Sequence, residues 1–195
     1  SLAPTGAADD GEVEDYVVSI LDGSTMPDAS VQLIGAATTV SIRNGQLAVQ
    51  ADSVLFSAPA DSFALLTVQG VATDESITLD FGGGEVDGSS GLQLDGGGGT
   101  NTLVVDGADS VLDLTLLPVE NFAVIDLGVD HVNELVIDAA AIRSLAPTTH
   151  SVRVVGGEVT AGMPDTIVLA DADSWRMGET SVVDGRFIRS IVRAP

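Results

Sequence analysis

Short aliphatic runs, broken repeatedly by glycine, aspartate, asparagine and serine, fill this chain from end to end. This punctuation is restrictive. Runs so short cannot nucleate a stable helix, but they are long enough to make strands. Valine, isoleucine and threonine enrich the runs, and turn-forming residues bound them. The pattern predicts strands at Tyr16–Leu21, Val31–Ile34, Thr39–Ile42, Leu47–Gln50, Val54–Ser57, Leu65–Gln69, Ser76–Phe81 and Leu92–Leu94. It predicts further strands at Thr102–Asp106, Val111–Leu114, Phe122–Leu127, Glu134–Asp138, Ser151–Val155, Thr166–Ala170, Thr180–Val183 and Phe187–Val192. Successive centres lie about 8–15 residues apart, the spacing of a β-sandwich or a solenoid.

Two details favour the solenoid. Strands such as Ile77-Thr78-Leu79 and Leu92-Gln93-Leu94 alternate apolar and polar residues and stop after two inward positions. The turns between them are glycine-built, as at Gly82-Gly83-Gly84, Gly96-Gly97-Gly98-Gly99 and Gly156-Gly157. Glycine supplies the positive φ and the missing Cβ that a tight corner between stacked strands requires. The four-glycine run is therefore read as a corner rather than a linker. The expected fold is all-β, a right-handed parallel β-helix (β-solenoid) with a C-terminal hairpin cap, with a β-sandwich as the alternative. One short helix is expected at Asp138–Leu145, capped by Asp138, rich in alanine and stopped by Pro147. Asp184-Gly185 marks a tight hairpin between Thr180–Val183 and Arg186–Arg189, with Val183 and Phe187 inward and Arg186 outward.

Charge excludes several partners. Twenty-nine acidic residues face seven arginines, with no lysine, for a formal net charge of -22. Nucleic-acid binding needs clustered cations that displace phosphate counterions, and an anionic bilayer surface repels this chain for the same reason. Apolar residues make up 45% of the chain, enough to build a core, and aromatics only 4%, so that core is aliphatic. There is no cysteine, which removes disulfides, thiol catalysis and Fe–S ligation. The longest apolar runs fall far short of the ~20 residues that a membrane-spanning helix needs. The opening SLAPTGAADD has neither an initiating Met nor a signal-peptide pattern, so the chain is read as a segment of a longer polypeptide.

The stretch Gly11-Glu12-Val13-Glu14-Asp15-Tyr16, continued by Val17-Val18-Ser19-Ile20, resembles the closing strand of the GEVED domain. That resemblance implies that residues 1–22 are the tail of a β-sandwich module of large bacterial extracellular proteins. Residues 23–195 then form a separate solenoid-like repeat domain. The stretch Leu66–Gly107 resembles repeats of very large secreted proteins of planctomycete-like bacteria. Val124–Asp138, together with the segments C-terminal to it, is similar to parts of giant RTX-type adhesins. These likenesses imply a secreted or cell-surface location.

Candidate sites are few. Gly96-Gly97-Gly98-Gly99-Thr100-Asn101-Thr102-Leu103-Val104 approximates the calcium-binding nonapeptide G-G-x-G-x-D-x-U-x, with Asn101 where the repeat has aspartate. Calcium takes six to eight hard oxygens, and Asp95, Asn101, Asp106 and Asp109 are the nearest donors in sequence. The imperfect repeat occurs once, so calcium is an optional ligand and no cofactor is required. Asp130, His131 and Glu134 offer a mixed donor set, with His150 the only other imidazole. Trp175 is a candidate sugar-stacking platform, set against a packing role. Arg176, Arg186, Arg189 and Arg193 concentrate near the C-terminus, either guarding an edge strand or docking an acidic neighbour. No paired-carboxylate spacing, nucleophile elbow, phosphate loop or zinc pattern stands out, so no catalytic residue is assigned.

The expectation is a non-enzymatic structural or spacer module that contacts neighbouring domains of the same polypeptide. A surface-glycan or protein adhesion module and a fragment of a carbohydrate-active β-helix enzyme are the alternatives. Neither nucleic acid nor membrane insertion is expected.

Overall fold

A computed structural model describes residues 26–33, 37–51, 54–84, 86, 91–107, 109–129, 132–149, 151–158, 165–171, 175–183 and 185–193. The strand expected at Tyr16–Leu21 and the GEVED-like tail at residues 1–22 lie outside the described residues. What is described is predominantly β, with one short helix. The all-β expectation therefore holds.

The strands fall into three sheets. The first contains β1 (Asp28–Gln32), β5 (Leu65–Gln69), β7 (Leu92–Asp95) and β10 (Val119–Glu120), all parallel. The second has a parallel centre of β2 (Ala37–Arg43), β6 (Ser76–Asp80), β8 (Thr102–Asp106), β11 (Val124–Asp126) and β13 (Ser151–Glu158). The third contains β9 (Val111–Asp113), β12 (Glu134–Ile137) and β14 (Thr166–Leu169), again parallel. Between β7 and β12 the chain visits the first, second and third sheets in turn, twice over.

Registry explains why the alternating sequence succeeds. In the second sheet Ile77 lies beside Leu103 and Leu103 beside Ile125. In the first sheet Leu66 lies beside Leu92, and in the third Leu112 beside Leu135. All of these side chains are buried, and they belong to one continuous aliphatic core that also holds Phe122. Each fully buried side chain of this size contributes roughly 1.5–3 kcal/mol. A shift of one residue would turn every one of them to solvent, so the pattern pins the register.

The helix α1 (Ala139–Leu145) follows β12. The Asp138 side chain accepts the Ala141 amide at 2.7 Å, as an N-cap should. Its Ala139, Ala141, Ile142 and Leu145 are buried, and it lies against β10, the last strand of the first sheet.

Both ends of the second sheet become antiparallel. At one end β3 (Gln46–Gln50) and β4 (Val54–Pro59) fold back on β2, with Phe56 and Phe63 tilted together at 5.4 Å between ring centres. At the other end β17 (Arg186–Arg193) runs antiparallel to β13. Its far edge carries β15 (Trp175–Met177) and β16 (Ser181–Val183). The C-terminal hairpin therefore lengthens the second sheet. Its side-chain facing differs from expectation. Val182, not Val183, is registered with Phe187, and Val183 is 50% exposed. Arg186 does not point to open solvent. Its two terminal nitrogens donate to the Asp126 carboxylate at 2.5 and 2.7 Å, and it also reaches Gly128 O and Gly156 O. A long guanidinium fork can span from β17 across β13 to β11, which a period-two argument cannot foresee. The turn itself fits: Gly185 has φ +78, while Asp184 lies outside the described residues.

Replacing Arg186 with Met keeps the stem and removes four donated hydrogen bonds. The expected outcome is a loss of about 2 kcal/mol, read as a fall of roughly 6 °C in melting temperature by circular dichroism.

Candidate functional site

The glycine run is a fixed corner. Gly96 N donates to Glu120 O at 2.9 Å, Gly98 N to Val71 O at 2.7 Å, and Thr100 N to the Asp74 carboxylate at 2.7 Å. The segment 96–101 is thus tied both to residues 71–74 before it and to Glu120 after it. At Gly97, φ is +69 and an added Cβ would run into the carbonyls of Val71 and Gly70, so only glycine fits.

Asn101 lies at the centre of this corner, fully buried. Its Oδ1 accepts the Glu75 amide at 2.9 Å. Its Nδ2 donates to Gly96 O at 2.7 Å and to Gly98 O and Asn121 O at 3.0 Å. The amide is used at both ends, and its orientation follows from the partners. In the calcium nonapeptide this position carries a ligand carboxylate; here the side chain is a backbone clamp.

The other calcium candidates do not converge on it. The Asp95 carboxylate accepts Gly97 N at 2.8 Å and Asn121 Nδ2 at 2.7 Å. Asp106 ends β8 on the surface, registered beside Asp80, which is ion-paired with Arg43. Asp109 is exposed, with φ 52. Among the described residues, no group of three or more His, Cys, Asp or Glu side chains is placed to hold a metal ion. Asp130, His131 and His150 lie outside the described residues; Glu134 is half-buried at the start of β12. Trp175 begins β15, opposite Arg193, and its side chain lies outside the described residues.

The corner between the second and third sheets uses the Asn101 device again. Asn133 Oδ1 accepts Ser110 N at 2.8 Å while Nδ2 donates to Leu127 O at 2.6 Å. Asn133 N in turn donates to Asp165 Oδ1 at 2.8 Å. After β14, Asp171 accepts Ala139 N at 2.8 Å. Sequence reasoning missed these residues, although a signal existed. Asn101-Thr-Leu-Val, Asn133-Glu-Leu-Val and Asp165-Thr-Ile-Val each place an amide or carboxylate side chain immediately before a strand. Glu75 occupies the same position before β6. It is buried, its Oε1 accepts Val71 N and the Thr73 hydroxyl, and its Oε2 has no hydrogen-bond partner among the described residues.

One cleft opens where the core ends, between β14, β13 and β17. Its volume is about 310 Å³, and its walls are Leu127, Val154, Gly156, Asp165, Ile167, Thr180, Phe187 and Arg189. Asp165 Oδ2 accepts Gly157 N at 2.6 Å, so both of its oxygens are engaged by backbone amides. Burial pushes the Asp165 carboxyl above its ordinary 3.8; the two amides and the nearby Arg186 pull it back in part, and Asp126 adds to the rise. Arg189 stands on another wall, its guanidinium donating to Thr180 Oγ1 and to the Met177 sulfur.

Two outcomes are expected. Asn101→Asp completes the calcium nonapeptide but turns an acceptor toward three carbonyls. It should cost about 3 kcal/mol in urea denaturation at neutral pH, and added calcium should not restore the loss. For Asp165 the folded state holds the proton more tightly than the unfolded chain. Its ionisation therefore lowers stability as pH rises from 3.8 through the raised value. Relative to Asp165→Asn, which cannot titrate, the native chain should gain stability as pH is lowered across that window, measured by paired denaturation curves.

A scan against protein-family models, a search of curated proteins and a search of solved structures each returned no match for this chain.

Proposed function

We propose that this chain is a non-enzymatic spacer module of a larger secreted or cell-surface protein, with its parallel strands wound as a right-handed β-solenoid. The observation that supports the reading is the passage of the chain, from β7 to β12, twice through three parallel sheets, with Asn101, Asn133 and Asp165 each accepting a backbone amide of an earlier segment. An antiparallel sandwich built from hairpins would instead pair consecutive strands with each other. The right hand follows from the near-universal handedness of crossovers between parallel strands. Short glycine corners spend little chain on loops, which suits a spacer more than a catalyst. The acidic surface supports solubility and discourages association between like modules. Its partners are the neighbouring domains of the same polypeptide, and the exposed Arg176 beside the outermost β-edge is one contact point for an acidic neighbour.

A spacer built of stacked turns tolerates a change in turn number. Duplicating residues 66–91, one full turn by the Leu66–Leu92 register, should give a chain that still folds cooperatively. Its long dimension should grow by about 4.8 Å, the spacing between paired strands, as measured by small-angle scattering. An unfolded or aggregated product would overturn the stacked-turn reading.

A further inference from the structure

The cleft at the end of the core combines features that a spacer does not need. Ile167 and Phe187 are half-buried and present apolar surface, over the buried Leu127 and Val154. Gly156 lines it without a side chain; a Cβ there would come within 3.0 Å of Asp165 Oδ2 and 3.7 Å of Phe187 Cβ. The space is therefore kept open by a bare position in the middle of β13.

Arg189 gives the cleft its charge. In the β13–β17 register it lies opposite Val154, on the same face as Phe187 and the buried Ile191. Its guanidinium is held by the Thr180 hydroxyl at 2.5 and 2.9 Å and by the Met177 thioether at 3.1 Å. A thioether is a weak acceptor, and neither partner carries charge. Among the described residues, the ion pairs are Arg43 with Asp80 and Arg186 with Asp126, so no described carboxylate neutralises Arg189. Asp165, the one acid on the cleft wall, already accepts two backbone amides. A cation with no carboxylate partner among the described residues, set in a largely apolar cleft of a chain with net charge -22, is a recognition group for an anion.

We propose that this cleft binds a small organic acid with an apolar body. The carboxylate pairs with Arg189, displacing the Met177 sulfur, and the hydrocarbon lies against Ile167 and Phe187. The apolar walls select against a fully hydroxylated acid such as a sugar uronate. The charge selects against a neutral molecule of the same shape. This site stands independently of the spacer reading, because it uses the end of the core and not the stacking of turns.

The test is a titration of the isotope-labelled full chain, followed by backbone amide shifts, with hexanoate, hexanamide and galacturonate at constant ionic strength. Hexanoate should bind with a dissociation constant near about 1 mM or tighter, shifting Val154, Ile167 and Phe187. Hexanamide and galacturonate should each bind about tenfold more weakly. Arg189→Gln should make hexanoate and hexanamide equal. Ile167→Trp fills the cleft while leaving Arg189 in place and should abolish hexanoate binding, which keeps the test decisive if the Arg189 variant folds poorly. Equal binding of hexanoate and hexanamide by the native chain would overturn the role of Arg189. Equal binding of hexanoate and galacturonate would overturn the apolar selection. Hexanoate shifts confined to other surfaces, or undiminished in Ile167→Trp, would overturn the site.

Discussion

The structure depends on what happens to backbone amides at corners. Within a central strand, backbone N–H and C=O groups find ladder partners on one side or the other. At the residue just before a strand the ladder has not begun, and burial under the next turn removes water. An unpaired buried amide costs about 1–3 kcal/mol. This chain answers with a short polar side chain from a later segment: Asn101 for Glu75, Asn133 for Ser110, Asp165 for Asn133. The aliphatic core can stay dry because these corners are closed. The side-chain choice is chemical. Asparagine both accepts and donates, so it closes the amide of one turn and carbonyls of its own and later turns together.

Arginine is used in the same economical way. Two of the seven are set against aspartates that end strands of the second sheet, Arg43 on Asp80 and Arg186 on Asp126. Asp80 also lies beside Asp106 in the ladder, where like charges repel. In a chain this acidic, the Arg43 pair relieves repulsion within the parallel centre, and the Arg186 pair ties the antiparallel β17 to that centre.

Much of this is legible in the residues, and the failures are physical. Leu65–Gln69 and Thr102–Asp106 coincide with their strands because clean alternation meets sharp turn residues at both ends. The helix at Ala139–Leu145 follows from its aspartate cap and alanine run. Val119–Glu120 escapes sequence reasoning because two residues after Pro118 carry no period. Trp175–Met177 escapes it because Arg176 and its neighbours lack β-branched character; only pairing with β17 makes that segment a strand. The hairpin is legible, but its facing is not: Val182 and Val183 are both exposed, since a turn residue fixes a bend more firmly than it fixes which neighbour looks inward. In sequence Asn101 resembles a defective calcium ligand, whereas its role is a clamp. Its partners are a chain turn away, and sequence proximity could not reveal them. The Arg186–Asp126 pair, 60 residues apart, leaves no local trace at all.

The corner clamps also make earlier segments depend on later ones. Glu75 waits for a side chain 26 residues later, Ser110 for one 23 residues later, and Asn133 for one 32 residues later. Each of these three buried amides is therefore closed only when a later segment of the chain is in place. The last turn has no successor of this kind among the described residues. It is there that the sheet reverses into antiparallel strands and the core is left open, so the cleft lies where the relay of seals runs out.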